Sequence, residues 1–500
     1  MGNSLAFPLL AFLIPVLLRA VPEVLMGPYV VGFDTMAHYV PTSMLWLNGG
    51  VDLWRYIATA PLFYTLIVSL VSAGGPLIVV LKVIPPLLHG FLGLSIYGYA
   101  KKGLGWSPRK SVLTALLGTL YFVALRISWD LLRNELALIF FFVVLTLLAT
   151  GESNKYTWKR CLLLSSAMLA VVLSHQLVAV IMFGVVVFTI IHQFIKKERV
   201  KAPTLFAVAL PAALFFFASV YLSPAVSEFR LIFGFPASGD GWLQLFGFSS
   251  YPAMLAGEAG FFLYCFLPIL PLAVISVKRF GNFQMRTWIL LIFIASLIPM
   301  ASPSNLRWIM LLTFPFAFYV SETLSWLKAV KWKRFKITLH RVALVYLVLS
   351  TAFLSLGFML KTPEKPLEYF DSGQYNGYIY QVPSSMLQNT VSIANCNDTA
   401  NALQWFKDNI GGSAVMLAHR AFYGWALSTL DKDQVVLYEY DNPVTAAETA
   451  LRQGHNQIYL VWWVNGQGWY GHPIVPSSFK EVYQSGKIAI YNYSPISVTQ

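Results

Sequence analysis

GPYVVGFDTMAHYVPTSMLW, residues 27–46, directly follows the first apolar segment of the chain and carries two titratable side chains. Asp34 and His38 are four residues apart, so one helical turn would bring them to the same side. A carboxylate can take a proton from an attacking hydroxyl group or hold a divalent cation, and an imidazole can orient a phosphate. The alternative is a helix cap followed by a surface histidine. This stretch is the first candidate site, and the apolar segments around it are interpreted as its scaffold.

The composition is typical of a membrane protein. Of 500 residues, 57% are hydrophobic and 11% are charged, and the mean hydropathy is +0.63, whereas soluble domains contain about 25% charged residues. The net charge of +13 would suggest nucleic acid in a soluble chain, but 20 of the 35 Lys and Arg residues form five short clusters between apolar runs. Such clusters orient membrane spans. We therefore predict a polytopic helical protein of the plasma membrane, with membrane lipid and no nucleic acid among its partners.

Eleven segments approach the length of about 20 apolar residues that a span requires. They are 5–26, 79–100, 109–127, 135–150, 161–175, 177–195, 203–222, 257–277, 287–301, 305–327 and 338–360. With this count, all five basic clusters fall on one side of the membrane. The apolar run at 61–73 would disturb that pattern if it were a span, so we interpret it as an interfacial helix on the outer surface. One further true span is the alternative.

Ionisable residues then gather near the outer boundary, in the loops 27–78 and 223–256 and at the span ends. They are Asp34, His38, Asp130, Arg133, Glu135, His175, Glu228, Arg230, Glu258 and Arg307. Charges at membrane depth are costly and are retained mostly where they have a partner or a function. Arg19, inside the first span, must likewise face a protein interior or a polar ligand.

Two short turns between spans supply candidates for a polar cavity. Asp130, Arg133 and Glu135 crowd the turn in RISWDLLRNELALIF, where at least one should line the cavity, although Arg133 and Asp130 could simply pair at the interface. His175 lies in the turn LSHQLV and is either a ligand-binding residue or a structural histidine.

Two further candidates adjoin the long outward loop and a late span. Glu258 follows a loop rich in Gly, Phe and Pro, and long loops in compact proteins are often lids or substrate clamps. Its alternative is an ordinary boundary residue. Arg307 lies just inside a span, where a guanidinium suits a phosphate or pyrophosphate, or where it extends to a lipid headgroup.

Residues 361–500 are predicted to form an extracytoplasmic α/β domain, distinct from the membrane domain 1–360. Asp398 or Thr399 can cap its first helix, and helical patterns then alternate with strand patterns, which indicates a largely parallel sheet. The strands are predicted at 413–418, 434–440, 456–463 and 487–493, and the later helices around 420–430, at 443–454 and near Phe479. Aromatic residues near its end, Trp462, Trp463, Trp469 and Tyr470, could stack on a sugar or dock the tail on the membrane domain.

In these residues the chain resembles GT-C glycosyltransferases, and among them the catalytic subunit of archaeal oligosaccharyltransferase. GFDTMAHY, with Asp34 and His38, is similar to the first-loop acidic motif of that family, and LLRNELALIF, with Asn134 and Glu135, is similar to its second. Glu258 resembles the glutamate of the fifth-loop motif, and Arg307 resembles the late-span arginine. The tail segments ALQWFKDN and FKEVYQSGKIAIY also follow the family's order.

Two departures from the family bear on function. Where the family has its Trp-Trp-Asp-Tyr-Gly sequon-binding motif, this chain reads AHRAFYGWAL at 418–427. Arg133 stands where the second motif has its first acid, which suits direct binding of a phosphate, as in GT-C members that use polyprenyl monophosphate sugars without a metal.

The resemblance therefore implies a glycosyltransferase that transfers a sugar from a polyprenyl (dolichyl) phosphate donor to a sugar, lipid or glycan acceptor on the outer face, with inversion. Asp34 would be the general base. His38 and Glu135 complete the catalytic candidates, Arg133, Arg307 and His175 would bind the donor phosphate, and Glu258, Asp130 and Trp469 would contact the substrates. No cofactor is then needed; a divalent cation, Mg or Mn, on Asp34, Asp130 and Glu135 is the alternative.

Three other functions are weighed against this one. A diverged, metal-dependent oligosaccharyltransferase acting on protein would share most of these residues. A lipid or solute transporter usually places polar residues near mid-membrane on broken helices, whereas here they gather at one boundary. A purely structural envelope protein has no need for charges at that boundary.

Overall fold

We describe the fold from a computed structural model that covers residues 5–151, 157–197, 201–222, 250–297, 305–328, 339–360, 389–410, 412–438, 442–464 and 475–494. Trp469, Tyr470 and most of the loop 223–256 lie outside the described residues, as does the side chain of Asp130. The roles predicted for these residues stay predictions. The described chain is mostly helical and ends in a small sheet.

The first half of the membrane domain consists of eleven described helices and three π-helical turns. The helices are α1 Ala6–Leu25, α2 Val40–Leu47, α3 Leu53–Ala58, α4 Leu62–Ser72, α5 Leu77–Gly98, α6 Pro108–Leu120, α7 Phe122–Asp130, α8 Leu132–Gly151, α9 Trp158–Ser174, α10 Gln176–Ile195 and α11 Lys201–Phe217. The π-helical turns are Thr35–Tyr39, Tyr99–Gly103 and Ala218–Leu222. Local signals set several starts: α6 begins with Pro108, and the preceding Ser107 accepts a hydrogen bond from the Lys110 amide.

The second half adds six helices within the described ranges. They are α12 Tyr251–Phe266, α13 Leu270–Ile275, α14 Phe283–Leu297, α15 Asn305–Met310, α16 Thr313–Leu327 and α17 Leu339–Leu360. Helix α15 packs against both α12 and α14, and α16 packs against α6 and α13.

Seven helices in the described part of the chain are long and apolar enough to cross a membrane. They are Ala6–Leu25, Leu77–Gly103, Leu132–Thr150, Gln176–Ile195, Lys201–Val220, Arg307–Leu327 and Leu339–Leu360. Helices α6 and α7 would make an eighth span, bent by 60° between them. The other three predicted spans coincide with α9, with α12 and α13, and with α14, which are helical but shorter. The chain thus fits a multi-pass membrane protein, and the count of eleven stays a prediction.

The predicted interfacial segment 61–73 is a helix, α4. Phe63, Tyr64 and Ile67 on one side of it are buried against the protein, while Leu66 and Leu70 on the other side are exposed. Exposed leucines on a helix of this kind suit contact with lipid. Helix α4 also packs against α2, α5 and α9, so it holds the first outward loop against the bundle.

An ion network ties the first helix into the bundle and confirms that Arg19 faces a protein interior. Arg19 is fully buried, pairs with Glu23 at 2.9 Å, and donates from Nε to the Ser128 carbonyl at 3.0 Å. Lys82 on α5 donates to the Glu23 and Tyr29 carbonyls, each at 2.6 Å. Helices α1, α5 and α7 are therefore joined by charge as well as by apolar packing.

The tail contains three helices and a five-stranded sheet among its described residues. The helices are α18 Cys396–Asn409, α19 Arg420–Thr429 and α20 Pro443–Arg452, and the strands are β1 Ala414–His419, β2 Val435–Tyr438, β3 Gln457–Trp463, β4 Phe479–Ser485 and β5 Ile488–Tyr493. The sheet order is β2-β1-β3-β5-β4. Strands β1, β2 and β3 are parallel, whereas β5 is antiparallel to β3 and to β4. The predicted α/β character is confirmed, but only half of the pairings are parallel.

Three local predictions in the tail are wrong. Trp462 and Trp463 do not stack on a sugar, because both are buried in β3 and their rings pack on His419 and Phe422. The segment at Phe479 is a strand, because it forms a hairpin with β5 across a two-residue turn in which Gly486 has φ +52°. Helix α18 starts at Cys396, so Asp398 and Thr399 lie inside its first turn and do not cap it. Asp398 instead accepts a hydrogen bond from the Lys487 amide at 3.1 Å, which joins α18 to the hairpin.

The tail is packed directly on the first outward loop. Helix α19 lies against the π-helical turn Thr35–Tyr39, and Gly424 approaches so closely that an added Cβ would lie 1.8 Å from the Met36 carbonyl oxygen. Asn389 donates to the Val30 carbonyl at 3.1 Å, and the rings of Trp425 and Tyr29 are 5.4 Å apart. Any larger residue at position 424 would therefore force α19 and the turn Thr35–Tyr39 apart.

Replacing Gly424 by Ala should weaken this packing. The new methyl group would meet a backbone atom that cannot rotate away, and overpacking of this kind costs about 1–3 kcal/mol. Limited proteolysis of the tail and thermal unfolding in detergent measure the effect. Gly412→Ala is the matched control, because a Cβ at Gly412 meets nothing within 4 Å. Equal protease resistance of the two variants would contradict this account of the packing.

Candidate functional site

Asp34 and Arg307 meet although they are far apart in the sequence. Asp34 precedes the π-helical turn Thr35–Tyr39, and Arg307 lies on the short helix α15. The Asp34 Oδ2 and Arg307 Nη2 atoms are 3.7 Å apart, and the two side chains keep 16% and 35% of their surface exposed. A ligand that reaches this pair can therefore contact both side chains.

Arg133 approaches the same place from the start of α8. Its guanidinium carbon is 5.7 Å from the ring centre of Tyr64 on α4, and the Tyr64 hydroxyl group interacts with both Arg133 and Thr42. The charge of Asp34 also acts on that hydroxyl group. The Nε atom of Arg133 is buried and has no acceptor among the described residues. Arg133 therefore belongs to the Asp34 site and retains an unused hydrogen-bond donor.

His175 completes the group that we call the Asp34 cluster: Asp34, Tyr64, Arg133, His175 and Arg307. It lies between α9 and α10, and its Nδ1 atom accepts a hydrogen bond from the Leu177 amide at 3.2 Å. Burial, together with the positive charges of Arg133 and Arg307, holds the pKa of His175 well below its ordinary value. The ring is therefore neutral, with its proton on Nε2 as a donor.

His38 is held by the tail. A π-helical turn places it about one turn beyond Asp34 on the same side. Arg420, at the start of α19, donates from Nη2 to His38 Nε2. The tail thus brings a third guanidinium next to the Asp34 cluster. Arg420 was not among the predicted site residues; the signal that could have found it is a lone arginine within the apolar segment AHRAFYGWAL.

Glu135 has a different partner from the one that its sequence neighbours suggest. It lies two positions after Arg133, which turns it by about 200° around α8, and its Oε1 atom is 2.6 Å from His89 Nδ1 on α5. His89 Nε2 is 2.9 Å from the Thr119 carbonyl oxygen, which only accepts, so Nε2 carries a proton. One further proton is then shared between His89 and Glu135, and the fully buried pair is neutral overall.

His89 was also absent from the predicted site residues. A histidine in the middle of an apolar span is a costly residue and a usable signal in the sequence. Asn134, between Arg133 and Glu135, is buried too, and its Nδ2 atom has no acceptor among the described residues.

Glu258 is buried on α12, the helix that packs against α15 and therefore lies next to the helix of Arg307. Within the described ranges, no three His, Cys, Asp or Glu side chains are grouped so that they could hold a metal ion. The alternative metal site on Asp34, Asp130 and Glu135 stays a prediction, because the Asp130 side chain is not among those that the structure describes.

Together these elements define a class: a helical protein that fits a multi-pass membrane topology, with a small sheet in its tail and a tail helix, α19, packed beside a cluster of ionisable residues. Comparison of the sequence with protein-family models and with curated proteins found no match. Any function assigned to the chain therefore depends on the residues of this site.

The lowered pKa of His175 predicts how stability changes with pH. Above about pH 6.5, the ordinary value, the ring is neutral in both the folded and the unfolded chain and contributes nothing. Below it, only the unfolded chain takes up the proton, so stability falls by up to about 1.4 kcal/mol for each pH unit until the folded value is reached.

Replacing His175 by Asn should reduce that loss, and thermal unfolding between pH 7 and pH 5 measures it. His455→Asn, in a turn of the tail, is the control and should behave like the parent protein. An unchanged pH dependence in His175→Asn would show that His175 is protonated as easily in the folded chain as in the unfolded one.

Proposed function

We propose that this protein is a membrane glycosyltransferase that uses a polyprenyl (dolichyl) phosphate sugar as donor. Its acceptor is a sugar, lipid or glycan on the outer face of the plasma membrane, and Asp34 is the general base. The observation that carries the proposal is the contact between Asp34 and Arg307, with Arg133 and His175 around it. The resemblance to GT-C enzymes supports the same residues.

The charges of the site favour an anionic ligand. Among the described side chains of the Asp34 cluster, one carboxylate faces two guanidinium groups, and His175 is neutral. A bound phosphate would give Arg133 Nε the acceptor that it lacks among the described residues. A buried donor without a partner costs about 1–3 kcal/mol, so a ligand that supplies an acceptor gains that amount.

The proposed reaction uses each group once. The acceptor hydroxyl oxygen attacks C1 of the donor sugar while Asp34 takes the hydroxyl proton. The bond between C1 and the phosphate oxygen breaks, the phosphate leaves with the electron pair, and the configuration at C1 inverts. Arg133, Arg307 and the Nε2–H group of His175 would stabilise the negative charge on the departing phosphate, as donors held in place before the reaction do.

The tail supports the acceptor side of this proposal. Arg420 and His38 link α19 to the turn that carries Asp34, so the tail and the base have a fixed relative position. The residues that grip an Asn sequon in the related family are absent from AHRAFYGWAL, so a glycan or lipid acceptor is favoured over protein.

Substitution of Asp34 by Asn tests the base. Turnover should fall by about 10²–10⁴-fold, the usual contribution of a positioned base, while the donor still binds. Purified protein is incubated with polyprenyl-linked sugars, and transfer is followed by mass spectrometry. Asp52→Asn is the matched control: Asp52 lies in the same outward loop, is exposed, and caps α3, a role that Asn also performs.

Two results would count against the proposal. Full turnover by Asp34→Asn would remove Asp34 as the base. Activity that disappears on adding a chelator and requires a diphosphate-linked donor would favour the metal-dependent oligosaccharyltransferase instead.

A further inference from the structure

A cavity of about 740 Å³ opens between α12, α13, α14 and α16. Its walls are apolar and include Phe262, Phe293 and Phe316 at one end. The other end carries Lys278 and Arg286 beside the Tyr319 ring. The volume is within the range of ligand-binding cavities, about 300–1,000 Å³.

The charged end of this cavity lies away from the Asp34 cluster. Tyr251, at the start of α12, donates to the Leu297 carbonyl at the end of α14 with a distance of 2.7 Å, and α15 with Arg307 packs against both helices. The start of α12 and the end of α14 therefore lie on the side of the Asp34 cluster. Arg286 lies eleven residues before Leu297 on α14, about 16 Å along the helix, so the cations lie toward the opposite leaflet.

Arg286 is held in place there by the backbone. Its Nη2 atom donates to the Val277 carbonyl at 2.9 Å, its Nε atom to the Phe280 carbonyl at 3.3 Å, and the Tyr319 hydroxyl group lies beside it. Lys278 is on the same turn and is exposed. The lining residues include no carboxylate, so the two positive charges at this end are not compensated by the cavity itself.

We propose that the cavity binds an acidic phospholipid from the leaflet on the side of the basic clusters. The headgroup phosphate would contact Lys278 and Arg286, and one acyl chain would lie along Leu290 and Phe293. Apolar walls alone would accept any lipid, but two uncompensated cations at the headgroup end favour an anion. The proposal is independent of the glycosyltransferase function, since the proposed donor phosphate lies at the other end of these helices.

Native mass spectrometry tests the site on the full-length protein in detergent. The protein is given equal amounts of phosphatidylglycerol and phosphatidylcholine with the same acyl chains. We expect the protein to retain one phosphatidylglycerol molecule rather than phosphatidylcholine. In Lys278→Gln/Arg286→Gln the ratio of bound phosphatidylglycerol to bound phosphatidylcholine should fall by about tenfold or more. The matched control is Lys196→Gln/Lys197→Gln, an exposed lysine pair after α10 that does not line the cavity.

Two further variants test the site independently of the double variant. Lys278→Gln alone leaves the backbone contacts of Arg286 intact, so it can be measured even if the double variant does not fold. It should lower the preference for phosphatidylglycerol. Leu290→Trp fills the cavity without changing charge and should displace the lipid. The proposal is overturned if the control pair lowers the preference as much as the cavity pair, if Leu290→Trp binds like the parent protein, or if inorganic phosphate competes as well as the lipid.

Discussion

Every charge placed inside an apolar helix bundle needs a partner, because an unpaired ion at membrane depth is costly. Arg19 meets this constraint through Glu23 and the carbonyls at the end of α7, and Glu135 meets it by sharing a proton with His89. Both arrangements are buried and join residues of different helices, so they hold the helices together. In both, a buried charge is paired within the helix bundle.

The charges of the Asp34 cluster are arranged differently. Its side chains come from several helix ends, and those of Asp34 and Arg307 keep part of their surface exposed. Arg133 Nε is buried without an acceptor among the described residues. The buried donor of Arg133, together with the partly exposed pair of Asp34 and Arg307, is what supports an anion-binding role. The tail is held next to this cluster by the close packing of Gly424 and by the contact of Arg420 with His38.

Much of this arrangement is predictable from sequence. Apolar length identifies the seven long helices, and alternating patterns identify β1, β2, β3 and β5. The resemblance names Asp34 and Arg307 together, and the structure brings them into contact. Partners that come from distant segments are harder to foresee: nothing near Glu135 in the sequence points to His89, and nothing near His38 points to Arg420. The helix predicted near Phe479 is wrong for a local reason. Strand β4 is a mostly exposed edge strand, so its sequence lacks the alternation of apolar and polar residues that identifies a strand.

We propose that the Asp34 cluster binds a phosphate through its arginine side chains and needs no metal to do so. Equilibrium binding of a short-chain polyprenyl monophosphate to the purified protein, measured in the presence of a chelator, tests it most directly. We expect the parent protein to bind, and Arg55→Gln, at an exposed arginine of the loop 27–78, to bind equally well. Arg133→Gln should lose affinity by about a hundredfold. Binding that needs added metal, or that Arg133→Gln leaves unchanged, would contradict it.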